Sequence, residues 1–139
     1  MRILLDTNVI VDYLLKRENF FDSADKIVRL CKNEIISGAI SSQSVADTFY
    51  ILRKSFSANQ RKAFLLNLCK IFYVEAVDSE KILSALQNEN FADFEDCLQM
   101  QCAVTFRADY IVTRNVDDFA ASEIPAVTPE NFCRTLIES

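Results

Sequence analysis

Short apolar runs alternate with longer amphipathic stretches along the whole chain. Residues 2–5, 35–40, 72–77 and 110–113 are short and mostly apolar, which is typical of buried strands, and residues 124–127 indicate a short fifth strand. The stretches between them carry apolar side chains at three- and four-residue spacing, which predicts helices. Because parallel strands need crossover connections, we predict an α/β three-layer sandwich with a mainly parallel central sheet of four to five strands. The whole chain, 1–139, is expected to form a single domain.

Polar residues in front of the amphipathic stretches predict where the helices begin. The expected capping residues, in chain order, are Thr7 or Asn8, Asp22 or Ser23, Ser41 or Ser42, Ser57 with Gln60 in a capping box, Asp78, Asp93, and Thr128 followed by Pro129. The third of these helices is expected to run to about Phe56.

The composition excludes several kinds of catalytic site. Gly38 is the only glycine, so no Gly-rich phosphate-binding loop can be written in this sequence. The absence of histidine excludes Ser-His-Asp triads, Cys-His dyads and Cys/His zinc sites. The net charge of −5 argues against indiscriminate nucleic-acid binding. It still allows a local nucleic-acid site if acids gather around divalent cations.

Cysteine usage and hydropathy bear on the compartment. The five cysteines are odd in number, lack CxxC spacing and fall mostly in apolar helical patterns, so we interpret them as reduced core residues. No apolar segment is long enough to span a bilayer, and the N-terminus lacks a basic region followed by a cleavage signal. We therefore expect a cytoplasmic protein with no membrane partner.

Carboxylates stand at the ends of elements that a parallel sheet would bring to one edge. Asp6 follows the first strand, residues 93–96 open a helix with three acids, and Asp117 and Asp118 follow the fourth strand. Capping, turn formation and, for Asp47, a solvated helix face are competing explanations. These explanations fit Asp6 least well, because an acid that directly follows a buried strand needs a hydrogen-bonding, ionic or metal partner. Converging carboxylates without histidine suit Mg²⁺ or Mn²⁺.

Four segments, in this order, resemble one known family. They are Leu5-Asp6-Thr7-Asn8, Ser44-Val45-Ala46-Asp47, Asp93-Phe94-Glu95-Asp96-Cys97-Leu98-Gln99, and Asp109-Tyr110-Ile111-Val112-Thr113-Arg114-Asn115 with Asp118-Phe119. Together they resemble PIN-domain ribonucleases, particularly VapC-type toxins of toxin–antitoxin pairs. The resemblance covers essentially the whole chain. It implies a parallel sheet whose edge brings acids together, and a protein that binds Mg²⁺ or Mn²⁺ through these acids and cleaves RNA.

The resemblance implies a role for each matched residue. Asp6 and Asp96 become the expected direct metal ligands. Asp47 stands where the family usually has glutamate, so its shorter side chain is expected to serve the metal through water. Asn115 stands where the family's last acid often lies, so Asp117 or Asp118 would supply the missing charge. The expected catalytic residues are Asp6, Asp47, Asp96, Asn115 and Asp118, and the expected supporting residues are Thr7, Asn8, Asp93 and Asp117.

Basic side chains are the candidates for contacts with substrate phosphates. Arg114 is the foremost of them, because it neighbours the acids in sequence and arginine can hold a phosphate bidentately. The others, for which ordinary solubility is the competing explanation, are Lys16, Arg17, Arg53, Lys54, Arg61, Lys62 and Arg107.

The leading hypothesis is a divalent-metal-dependent endoribonuclease, the toxin of a toxin–antitoxin pair. It implies an RNA substrate, an antitoxin protein as partner and a homodimer. The first alternative is a catalytically weak or silent PIN-like module that binds RNA or protein, suggested by Asp47 and Asn115. The second, phosphoryl transfer through an aspartyl-phosphate at Asp6, is disfavoured because Asn8 stands where the partner acid is expected.

Overall fold

The computed structural model describes residues 1–138, with side chains described through residue 136, and its centre is a five-stranded sheet. The strands are β1 Arg2–Leu5, β2 Ser37–Ser41, β3 Tyr73–Glu75, β4 Tyr110–Val112 and β5 Ala126–Val127. Their order is β3-β2-β1-β4-β5, and every neighbouring pair is parallel. The predicted mainly parallel sheet of four to five strands is therefore confirmed, with β1 at its centre.

Helices connect the strands, as parallel pairing requires. The described part of the chain forms seven α-helices: α1 Thr7–Leu15, α2 Phe21–Lys32, α3 Ser42–Ile51, α4 Ala58–Ile71, α5 Ser79–Gln87, α6 Phe94–Phe106 and α7 Pro129–Glu138. Two 3₁₀ turns, Leu52–Lys54 and Val116–Phe119, follow α3 and β4. None of the helices in the described residues is long and apolar enough to cross a membrane.

The sheet separates two hydrophobic cores, which makes the domain a three-layer sandwich. Ile3 and Leu5 point into a core shared with α1, α2, α4 and α7, whereas Leu4 points into a core built mainly by α6. This alternation is the period of a strand, and all three side chains are at most 1% exposed. Burying an aliphatic side chain of this size stabilises the fold by about 1.5–3 kcal/mol, so both faces anchor β1.

Several helix starts match the predicted caps. The side chains of Ser41, Ser57, Asp78 and Asp93 accept backbone N–H groups of α3, α4, α5 and α6, and the capping box with Gln60 is present. Thr128 likewise accepts the N–H of Asn131 in α7.

Other boundaries differ from the predictions. The N-cap of α1 is Asp6, not Thr7 or Asn8. Residue Phe20 precedes α2 without a side-chain cap, so Asp22 and Ser23 lie inside the helix.

The third helix also ends earlier than Phe56. Arginine side chains from outside α3 take the carbonyls of its last turn: Arg61 donates to Phe49 O at 2.8 Å and Arg53 donates to Tyr50 O at 3.0 Å. The chain then tightens into the 3₁₀ turn. Similarly, β3 stops at Glu75, because the N–H of Val77 turns away to donate to Ser42 Oγ at 2.9 Å.

The cysteines behave as the sequence predicts. All five are free, and four of them are buried. Burial raises the pKa of Cys31 to about 12 and that of Cys102 to about 11, which keeps both thiols protonated and unreactive.

Gly38 sits where a side chain has no room, and this generates a stability prediction. A Cβ at this position would lie 2.7 Å from Cys31 Sγ and from two ring carbons of Phe72. We expect Gly38→Ala to lower the free energy of unfolding by about 1–3 kcal/mol, measured by urea denaturation, because a packed core resists overfilling. The matched control is Ser37→Ala at the exposed neighbouring position, expected to change stability by less than about 0.5 kcal/mol. Equal stability of Gly38→Ala and wild type would show that the core yields.

Candidate active site at the carboxyl edge of the sheet

Asp6 lies at the point where β1 ends and α1 begins, and its side chain is almost enclosed at 7% exposure. Oδ1 accepts the N–H of Thr7 at 2.8 Å and Nε2 of Gln99 at 3.1 Å. Oδ2 accepts the hydroxyl of Thr113 at 2.8 Å and, more weakly, Nδ2 of Asn8 at 3.4 Å. Donors from β1's own continuation, from α6 and from the end of β4 therefore converge on one carboxylate.

Two opposing influences set the charge of Asp6. Burial raises the pKa of Asp6, because a charged carboxylate loses hydration. Hydrogen bonds from Thr113, Thr7 and Gln99 lower it, and the negative charge of Asp118 raises it again. The net direction is upward, so the donors only partly offset the cost of enclosing this acid.

Asp96 occupies the first turn of α6, where its backbone N–H donates to Asp93 Oδ1 at 2.9 Å. The pKa of Asp96 is raised to about 7 by burial, the largest cause, together with the negative charges of neighbouring acids, which are, in decreasing order of effect, Asp93, Asp6, Asp118 and Glu95. Asp6, Asp96 and Asp118 are therefore close enough to repel one another. The predicted convergence of strand-end and helix-start acids is present in the structure.

A polar network beneath Asp6 holds side chains to which sequence reasoning gave no role. Nε2 of Gln99 lies 2.8 Å from Ser44 Oγ and 3.3 Å from Thr7 Oγ1, in addition to its bond with Asp6. Ser44 Oγ in turn lies 2.7 Å from Thr7 Oγ1 and accepts the Ser41 hydroxyl at 3.0 Å. The signal for Gln99 was its position three residues after Asp96, which places both on one helix face.

The orientation of Gln99 follows from its neighbour's charge. An amide oxygen placed against Asp6 would face a carboxylate, so the nitrogen must point there. The amide oxygen, Oε1, is buried and has no hydrogen-bond partner within the described part of the chain.

A cleft of about 460 Å³ opens over these groups. Among the predicted site residues, those that line it are Asp6, Thr7, Asn8, Asp47, Asp96 and Asn115. Asp47 is half-buried and accepts Nε2 of Gln43 at 3.0 Å, so it faces the cleft and is not on a fully solvated face. The backbone N–H of Asn115 donates to Thr113 Oγ1 at 3.1 Å, which ties this residue to the hydroxyl that binds Asp6.

The remaining predicted acids do not line the cleft. Asp117 and Asp118 are exposed in the 3₁₀ turn after β4, and the charge of Asp118 raises the pKa of both Asp6 and Asp96. Asp93 caps α6 and adds negative charge next to Asp96. Within residues 1–136, no three His, Cys, Asp or Glu side chains form a group that could hold a metal ion. Asp6 and Asp96, the expected direct ligands, and Asp47, which is expected to act through water, thus share a cleft without a preassembled cluster.

Arg114 is engaged by a buried acid of α1. Its Nε donates to Asp12 Oδ2 at 2.6 Å and its Nη2 to Asp12 Oδ1 at 3.2 Å, while its guanidinium lies 4.3 Å from the centre of the Phe20 ring. Asp12 is only 1% exposed and also binds Arg17 at 3.1 Å. Arg114 thus makes its two hydrogen bonds to the Asp12 carboxylate and not, as the sequence predicted, to a substrate phosphate.

Comparison with known proteins identifies the family. A family model described as PIN domain matches residues 2–117. The chain belongs to the PIN-domain family. A comparison with curated proteins finds no match.

Solved structures share the fold over nearly the whole chain. The structure of VapBC2 from Rickettsia felis bound to a DNA fragment from their promoter matches with a TM-score of 0.66 at 21% identity, covering 92% of this chain and 98% of that chain. VapC20 of Mycobacterium tuberculosis, described as a sarcin–ricin loop cleaving toxin, matches with a TM-score of 0.66 at 16% identity, covering 86% and 94%. A toxin–antitoxin complex from Klebsiella pneumoniae matches with a TM-score of 0.66 at 25% identity, covering 91% and 97%.

The raised pKa of Asp96 predicts a pH-dependent effect of its removal. Its pKa in the folded chain is about 7, above the ordinary value of 3.8, so its favourable contribution is complete below 3.8 and is lost as the pH rises to about 7. In EDTA we expect Asp96→Asn to match wild type at about pH 4. At about pH 8 the variant should be more stable by about 1 kcal/mol, allowing for screening at a partly exposed side chain.

Urea denaturation at both pH values measures this difference. The control is Asp25→Asn, which removes a half-buried carboxylate of α2 that lies outside the cleft and is paired with Arg29 at 2.8 Å. That variant leaves the cleft acids in place, so it should not show the gain in stability at high pH that is expected of Asp96→Asn. A stability difference between Asp96→Asn and wild type that does not change with pH would contradict the acid cluster.

Arg114 is predicted to be a stabilising anchor. Arg114→Ala should lower the free energy of unfolding by about 2–3 kcal/mol, because it strips two of three hydrogen bonds from the buried Asp12 carboxylate. Thermal and urea denaturation measure the loss, and Arg29→Ala, which breaks an exposed ion pair, should cost less than about 0.5 kcal/mol. If both variants lose the same small amount, Arg114 is not an anchor.

Proposed function

We propose that the protein is a divalent-metal-dependent endoribonuclease that acts as the toxin of a toxin–antitoxin pair. The observation that carries the proposal is the convergence of acids at the carboxyl edge of the sheet, where Asp6, Asp47 and Asp96 line one cleft. The charge of Asp118 raises the pKa of Asp6, and the charges of Asp6 and Asp118 raise the pKa of Asp96. Membership in the PIN-domain family supports a nuclease. A site with this much unbalanced negative charge favours binding of a cation.

The donor set fits a hard cation. Carboxylate and amide oxygens line the cleft, histidine is absent from the sequence, and the described cysteines are buried or half-buried thiols. Such oxygen ligands suit Mg²⁺ or Mn²⁺. Asp6 and Asp96 would hold the ion, and Asp47 and Asp118 would serve it through water molecules. When bound, such an ion supplies Lewis acidity that makes a water molecule nucleophilic and offsets charge on the leaving oxygen of a phosphodiester.

The chain's own residues prepare the site. Thr113, Gln99 and the N–H of Thr7 orient both oxygens of Asp6 and favour its ionised form. Asn8 donates to Asp6 and accepts the backbone N–H of Arg114 at 3.3 Å, so it fixes the loop after β4 against the acid. This rigid support holds Asp6 in place before any ligand arrives.

The proposed partners follow from the solved relatives. VapC20 is described as a sarcin–ricin loop cleaving toxin, and the Klebsiella pneumoniae structure is a toxin–antitoxin complex. We propose RNA as substrate, an antitoxin protein as inhibitor and a cytoplasmic location for the pair. A homodimer is supported by the apolar face of α5, where Leu83 and Leu86 are 56% and 64% exposed.

A silent binding module is the second candidate. Asn115 lines the cleft where the family's last acid often lies, and the described acids do not form a ready metal group. Such a module would keep the cleft and the RNA or protein partner but not turnover.

Cleavage assays test the proposal. We expect purified protein to cleave members of an RNA panel with Mn²⁺ or Mg²⁺ and to stop in EDTA. Asp6→Asn and Asp96→Asn should each reduce the rate at least about 100-fold, because each removes a charged metal ligand. Asp25→Asn is the matched control and should cleave at the wild-type rate. Cleavage that persists in both Asp6→Asn and Asp96→Asn would contradict the proposed nuclease site. RNA binding by wild type without any cleavage would favour the silent module.

A further inference from the structure

Arg17 is the one basic side chain among the described residues that line the acidic cleft. It shares the cleft with Asp6, Asp96 and Asn115, and its side chain is 41% exposed. A polyanion that enters this cleft meets the carboxylates of Asp6, Asp47, Glu95 and Asp96. A cation within the cleft is therefore the natural first contact for a phosphate.

The carboxylate of Asp12 pairs with two guanidinium groups, those of Arg114 and Arg17. Arg114 makes two hydrogen bonds to its carboxylate, at 2.6 and 3.2 Å, whereas Arg17 makes one, at 3.1 Å. One carboxylate against two guanidinium groups leaves a net positive charge beside the cleft. Because Arg114 alone satisfies both oxygens of Asp12, Arg17 can release its single bond without leaving the buried acid unpaired.

Backbone hydrogen bonds fix the main chain of Arg17, whereas a single hydrogen bond to Asp12 holds its guanidinium group. The helix α1 ends at Lys16 in the left-handed conformation, with φ of 51°, and the N–H of Arg17 returns to the carbonyl of Asp12 at 3.0 Å. The carbonyl of Arg17 accepts the N–H groups of Phe20 and Phe21 at 3.2 and 2.9 Å. The guanidinium therefore extends into the cleft from a main chain that is held by hydrogen bonds.

We propose that Arg17 binds a phosphate of the RNA substrate, and that Arg114 is its anchor and not itself the phosphate contact. The Arg17 side chain changes rotamer, leaves Asp12 and binds a phosphate next to the bond that is cleaved. Its planar guanidinium group donates two hydrogen bonds to that phosphate. Arg114 stays on Asp12 and keeps that carboxylate satisfied. The inference rests on the proposed function, since the phosphate belongs to the proposed RNA substrate.

Steady-state kinetics on a cleaved RNA with Mn²⁺ test the inference. Arg17→Ala should raise KM about tenfold and change kcat by less than about threefold, because the lost contact binds a phosphate that does not react. The dependence of kcat/KM on salt should become shallower by about 0.7 in the log–log slope, the value for one phosphate contact on single-stranded nucleic acid. Arg17→Lys should restore the slope but only part of the KM, because an ammonium keeps the charge without the fork.

Two controls separate this role from a structural one. Arg29→Ala removes the same charge from an exposed position in α2 and should leave KM and the salt slope unchanged. Arg17→Ala should lose less stability in urea than Arg114→Ala, since Asp12 keeps two of its hydrogen bonds.

The outcomes also distinguish this inference from the proposed function. If wild type cleaves RNA and Arg17→Ala cleaves it with the same KM and salt slope, the inference is overturned and the nuclease stands. If wild type binds RNA without cleaving it, fluorescence anisotropy with the same RNA in Ca²⁺ replaces the kinetics, and equal affinity of the two proteins overturns the inference. If wild type neither binds nor cleaves RNA, both proposals fall.

Discussion

Enclosure of the Asp6 carboxylate is the constraint on which the rest of the site depends. Its backbone N–H donates to Val112 O in β4 at 2.9 Å, and its carbonyl accepts the N–H of Val9 at 3.1 Å, so the residue belongs to sheet and helix at once. Its side chain is held by Thr113, which directly follows β4, and by Gln99 of α6. Burial nevertheless outweighs these donors and raises its pKa. The fold therefore accepts an electrostatic cost that a bound cation would relieve.

A second buried acid organises the flank of the same cleft. Asp12 is neutralised by Arg114, whose guanidinium also lies over Phe20, and this contact ties α1 to the loop after β4. The same loop carries Asn115 and continues into the 3₁₀ turn with Asp118. Asp6 thus supplies negative charge to the cleft. Asp12 instead binds Arg114 of the loop after β4 and Arg17 of the cleft wall.

Sequence reasoning could place Asp6 and Asp96 together, because the ends of parallel strands and the starts of the following helices meet at one edge. It also gave the correct sheet class, since short apolar runs and capped amphipathic segments are local signals. It could not find the partnership of Arg114 with Asp12, which joins residues 102 positions apart. Nor could it see the cap of α1, because Asp6 serves the helix, the sheet and the cleft simultaneously. The early end of α3 likewise depends on Arg61, which reaches Phe49 O from the following helix.

The central claim is that the enclosed acids form a divalent-cation site centred on Asp6. Titration of Mn²⁺ into the protein, followed by the electron paramagnetic resonance signal of free Mn²⁺, measures this directly. Wild type should bind Mn²⁺ at or below about millimolar concentration near neutral pH, and Asp6→Asn and Asp96→Asn should each weaken binding at least about tenfold while remaining folded. Binding that is unchanged by both substitutions, or no binding by folded wild type at millimolar Mn²⁺, would contradict the account.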